Sequence, residues 1–78
     1  MDAFVFVGRG TVGRWDVYAR DPKDLLLGTI EEGDNRQLLV KAAAGPLFGI
    51  DEGPYPDLEA AMSAVAARIG GTCEKWVP

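Results

Sequence analysis

DLEAAMSAVAARIGG, residues 57–71, is the stretch whose reading decides the fold. Leu58, Ala61, Met62, Val65, Ala66 and Ile69 recur at the spacing that lays one apolar stripe along a helix. Asp57 is placed to accept hydrogen bonds from the first free backbone N–H groups, and its charge suits the positive end of the helix dipole. Gly70 and Gly71 offer the left-handed residue that ends many helices, and Arg68 sets a cation in the last turn. The other periodic segments read as strands, so this helix needs a sheet to lie on.

On either side of the helix the chain is less regular. Residues 45–56 hold prolines and glycines, but also Leu47, Phe48, Ile50 and Tyr55. A bare loop of that length is uncommon in a small domain, so these side chains are expected to tie it down, with a short strand at residues 47–50. Past Gly71, residues 72–77 read as a last strand with Trp76 covering an edge of the core.

The strands lie towards the N-terminus. Residues 3–7, with Phe4, Val5, Phe6 and Val7 in a row, make a strand apolar on both faces, as central strands and subunit contacts are. Residues 14–20 alternate: Trp15, Val17 and Ala19 point one way, Asp16, Tyr18 and Arg20 the other. Asp21 and Pro22 begin a type I turn. In residues 25–30, Leu26, Gly28 and Ile30 share one face and Leu25, Leu27 and Thr29 the other. Gly28 within a strand marks close approach of another backbone, for which the alanine-rich helix is the expected neighbour. A polar turn at residues 31–35 leads to residues 36–42, where Leu38, Val40 and Ala42 oppose Gln37, Leu39 and Lys41. The expected fold is α+β: one domain over residues 1–78, an antiparallel sheet of four or five strands, one helix on one face, in the order β-β-β-β-α-(β).

Composition narrows the function. With 78 residues, one core barely suffices, and the 47 % hydrophobic content speaks against disorder while exceeding what so small a chain can bury. Some apolar surface is therefore expected to meet a partner. A single cysteine, Cys73, allows no internal disulfide and fits a reducing compartment. Asp2 stands where a signal peptide would be basic, and the apolar run after it is too short to span a membrane. The expectation is a cytoplasmic protein with no membrane partner. The net charge of −4 weighs against general nucleic-acid binding, although residues 1–23 carry +1 and residues 24–78 carry −5.

Gly8-Arg9-Gly10-Thr11-Val12-Gly13 is a literal G-x-G-x-x-G after a strand, with Glu31 near where a ribose-binding acid would stand. A dinucleotide fold needs a helix to open after Gly13, whereas residues 14–20 alternate as a strand and Pro22 would stop a helix. A flexible hairpin loop is the better reading. The chain has no histidine, which removes Ser-His and Cys-His pairs and the commonest metal ligand. Cys73 reads as a small, partly buried hydrophobe. Glu31, Glu32 and Asp34, like Asp51 and Glu52, lack the ligand spacing of a calcium loop. No catalytic residue, cofactor or metal is expected.

Two binding readings are left. Val5, Val7, Tyr18, Leu25, Leu27 and Leu39 form an expected second apolar sheet face, fit to meet a protein partner or a second copy in a dimer. Arg9, Arg14, Trp15, Tyr18 and Arg20 instead combine cations with aromatics, as nucleic-acid surfaces do. The run Gly13-Arg14-Trp15-Asp16-Val17-Tyr18-Ala19-Arg20-Asp21-Pro22, followed by Leu27-Gly28-Thr29-Ile30, resembles the second and third strands of the AP2 DNA-binding domain. The resemblance implies a three-stranded sheet backed by a helix, with Arg14, Trp15 and Arg20 facing DNA. It covers about a quarter of the chain. That family's basic first strand is replaced here by Phe-Val-Phe-Val, and a fourth strand and long loop precede the helix.

Overall fold

A computed structural model describes residues 1–7, 13–20 and 25–76. Its elements are β1 (Asp2–Val7), β2 (Arg14–Ala19), β3 (Leu26–Glu32), β4 (Leu38–Ala42), α1 (Leu58–Ile69) and β5 (Thr72–Lys75). They form one five-stranded sheet in the spatial order β4-β3-β2-β1-β5, with α1 across one face. The fold is α+β, with the expected chain order and one correction to the sheet. β1 to β4 pair antiparallel with their neighbours, but β5 lies parallel to β1, pairing Asp2 with Thr72 and Phe4 with Glu74. The helix is the reason: it carries the chain back across the sheet, so the returning strand runs alongside the first one.

Both helix ends follow the sequence. Asp57 is extended, and its carboxylate accepts from the Ala60 N–H at 2.8 Å. Gly70 takes the left-handed conformation (φ 70°, ψ 35°), and Gly71 N–H donates to the Ala66 carbonyl. Ala61, Met62 and Val65 face the sheet and close the core with Ala3, Val5, Val17, Ala19, Ile30 and Val40. The sheet side of that contact is built mainly from small and β-branched residues, which lets the helix lie close.

The third strand departs from simple alternation. Val17 pairs with Gly28 but Tyr18 pairs with Leu26, so Leu27 is an extra residue in a β-bulge. The bulge turns Leu27 into the core (0 % exposed) and leaves Leu26 opposite Tyr18 on the far face. Gly28 is buried, and its neighbour is Leu47 rather than a helix alanine.

Residues 45–56 are tied down as expected, but not by a strand at residues 47–50. A 3-10 turn, Gly45–Leu47, drops Leu47 into the core, while Phe48 stays 56 % exposed. Residues 52–55 then run antiparallel along the outer side of β4. Val40 N–H donates to Glu52 O at 2.9 Å, Leu38 N–H to Tyr55 O at 2.9 Å and Tyr55 N–H to Leu38 O at 2.8 Å. No helix among the described residues is long and apolar enough to cross a membrane.

Candidate aromatic interaction face

The sheet face away from α1 is organised by strand pairing. Antiparallel register sets Phe4 opposite Tyr18 and Phe6 opposite Asp16, and alternation turns these side chains away from buried Val5 and Val17. Trp76 follows β5 and extends its ladder, its N–H donating to Val5 O at 2.9 Å, which brings the indole beside Phe6. The rings pack on one another. Phe6 stacks on Trp76 with centroids 5.3 Å apart and meets Tyr18 edge-on at 5.5 Å, and Phe4 meets Trp76 edge-on at 5.6 Å. Such aromatic pairs contribute about 0.5–1.5 kcal/mol each beyond their buried area. Trp76 nonetheless remains 51 % exposed.

Charges border this patch. The Arg20 guanidinium lies over the Phe4 ring, 5.6 Å from its centroid. Arg14 Nε is 3.5 Å from Asp16 Oδ1, an ion pair too long to count as a good hydrogen bond, and that buried carboxylate oxygen accepts no hydrogen bond among the described residues. Lys41 pairs with Glu31 at 3.6 Å. On the helix side, Lys75 reaches Glu59 at 3.9 Å. Asp2 Oδ1 accepts from the Thr72 hydroxyl at 2.8 Å, and Glu74 stands exposed beside Phe4.

The sequence-derived protein-binding set is divided by the sheet. Tyr18 lies in the aromatic patch, and Leu39 shares its face, opposite Glu31. Val5 (3 % exposed) and Leu27 are core residues on the helix side, and Leu25 packs against that core. The expectation that these three lie on an uncovered face is therefore corrected. For Leu27 the bulge is the cause; for Val5 it is the helix choosing the valine side of β1 over the phenylalanine side. Val7 pairs through its backbone with Trp15 at the end of β1. The residues missed were Phe4, Phe6, Leu26 and Trp76, and Trp76 stacks on this face instead of covering a core edge.

The nucleic-acid set is divided as well. Arg14 and Arg20 are exposed, but Trp15 packs against the core, on the opposite face from Tyr18. The AP2-like grouping of Arg14, Trp15 and Arg20 on one surface does not form. Arg9 and most of the Gly8–Gly13 motif lie outside the described residues. β2 begins at Arg14, where a dinucleotide fold would begin a helix.

Cys73 faces the helix side, half-buried. Burial, with a smaller contribution from the Glu74 charge, pushes its thiol up to about 11, so it carries almost no thiolate at neutral pH. Burial and then Asp51 also raise Tyr55, whose hydroxyl donates to the Asp51 carbonyl. Among the described residues no cluster of three or more His, Cys, Asp or Glu side chains could hold a metal ion. The chain matches no protein-family model, no curated protein and no solved structure with which it was compared.

Proposed function

We propose that this chain is a small non-enzymatic interaction module that binds a protein partner, or a second copy of itself, through the sheet face opposite α1. The observation that carries the reading is the contiguous patch of Phe4, Phe6, Tyr18 and Trp76 outside the core, with Trp76 half in solvent. Aromatic anchors ringed by charged side chains are the usual make-up of a protein-binding surface. The pairing of Arg14 with Asp16 and of Lys41 with Glu31 leaves the rim close to neutral, which suits a protein better than a polyanion.

The test compares the native chain with a Phe6→Ala, Trp76→Ala double variant, shown by circular dichroism to be folded. Light scattering over a wide concentration range reads self-association, and co-purification from the native cell reads other partners. Loss of the dimer or partner in the variant supports the proposal. A partner kept in full by the variant overturns it.

A nucleic-acid reading has one observation in its favour, the Arg20 guanidinium over Phe4, whose ring also meets the half-exposed Trp76. It requires binding to mixed-sequence DNA that weakens steeply with salt and is lost in Arg14→Ala or Arg20→Ala.

A further inference from the structure

The two sides of the sheet end differently. At β4, residues 52–55 of the same chain bond the outward N–H and C=O of Leu38 and the outward N–H of Val40. At β5 the inward groups are fixed by the ladder to β1: register and the Trp76-to-Val5 bond direct the amides of Thr72, Glu74 and Trp76 towards β1. Alternation then turns the N–H and C=O of Cys73 and Lys75 outward, and among the described residues these have no hydrogen-bond partner.

We infer that this outer edge of β5 takes an added strand: an extended segment of another protein whose basic residue faces Glu74 and whose apolar residue lies beside Trp76. The inference rests on reading the molecule as an interaction module and names the kind of partner. An extended backbone is the occupant that satisfies alternating outward donors and acceptors, and alternate side chains of such a strand fall on the aromatic side of the sheet. Charge selects its chemistry. Arg14, Lys41 and Lys75 each have a carboxylate within 4 Å, and Arg20 lies on Phe4. Glu74, exposed next to the edge, has no cation that close among the described residues, on a chain of net charge −4.

A second copy fits poorly. Antiparallel addition about a two-fold axis normal to the sheet can centre on Cys73, Glu74 or Lys75. Centring on Glu74 or on Lys75 sets two like charges directly opposite, which is destabilising. Centring on Cys73 next reaches Gly71, whose N–H is already committed to Ala66.

The experiment titrates the full chain with short, end-capped peptides in which lysine and valine stand two residues apart on one strand face with threonine between them, and with matching peptides that carry glutamate in place of lysine. Two-dimensional amide NMR, tryptophan fluorescence and hydrogen exchange read the binding. The expected result is binding of the lysine peptide at least about tenfold tighter than the glutamate peptide, with slowed exchange at Cys73 and Lys75. Lys75→Pro removes an outward donor without touching the ladder to β1 and should weaken binding by about tenfold or more. Glu74→Lys should reverse the preference between the two peptides, and circular dichroism establishes that both variants are folded. Absence of binding at millimolar peptide, or binding that both variants leave unchanged, overturns the inference. So does an edge-dependent dimer of the chain alone, lost in Lys75→Pro. Binding kept by both edge variants but lost in Phe6→Ala, Trp76→Ala sinks the edge and spares the face. The converse pattern keeps the edge and its basic residue, but overturns the apolar contact at Trp76 and sinks the face.

Discussion

Leu47 occupies the space that a side chain at position 28 would need: a β-carbon built on Gly28 lies 2.7 Å from Leu47 Cδ2, and nearer still to the Lys41 carbonyl oxygen. The side chain could adjust, but the carbonyl belongs to the β3–β4 pair and cannot move without disturbing it. Gly28→Val should cost about 1–3 kcal/mol by overpacking, measured as a lower urea midpoint with an unchanged slope. Gly28→Ala should already show part of that loss.

Arg68 does more than complement the helix dipole. Its Nε donates to the Phe48 carbonyl at 2.9 Å, and Nη2 donates to the same oxygen. This fixes the last turn of α1 to the exposed turn after Leu47. Arg68→Ala is expected to lower stability by about 1 kcal/mol and to speed amide exchange at Gly49 and Ile50 selectively. Equal acceleration across β1 to β4 would mean that the contact supports the whole fold instead.

Cys73 gives stability a pH dependence. In the unfolded chain the thiol ionises near ~8.5, but in the folded chain only near about 11. Between those values the folded state holds the proton and the unfolded state releases it. Stability is therefore complete below the lower value and declines as pH rises towards the upper one. Urea midpoints of the native chain should fall across this window more steeply than those of Cys73→Ala. At neutral pH, iodoacetamide should alkylate the native thiol far more slowly than the thiol of the urea-unfolded chain.

Asp57 is the helix cap, through its bond to Ala60 N–H at 2.8 Å. Asp57→Ala should lower stability by about 1 kcal/mol, and Asp57→Asn, which keeps an acceptor, by much less. Thermal melts of the two variants side by side provide the measurement.

Local chemistry made much of the fold readable in the sequence. Asp57 and Gly70 announce the helix ends, and Trp15-Val17-Ala19 and Leu38-Val40-Ala42 announce their buried faces, because each signal acts within a few residues. The faces of β1 and β3 were not legible in the same way. A strand apolar on both sides has no polar residues to say which side the helix takes. Size decided it: Ala3 and Val5 admit a close helix, and the rings of Phe4 and Phe6 would hold it off. The bulge at Leu27 is set by pairing with β2, which periodicity within β3 does not record. Trp76 and Phe6 are brought together only by the parallel return of β5, a long-range event, so the candidate face was found by structure and only Tyr18 and Leu39 of it by sequence.

The strap of residues 52–55 along β4 bears on how large an assembly can grow. Head-to-tail sheet extension into a fibre needs two open sides on every molecule, one to receive and one to offer. Here the strap already covers Leu38 and Val40 on one side, so strand addition ends after a single event per chain. Any complex built by that route has a fixed one-to-one stoichiometry and does not repeat along a filament.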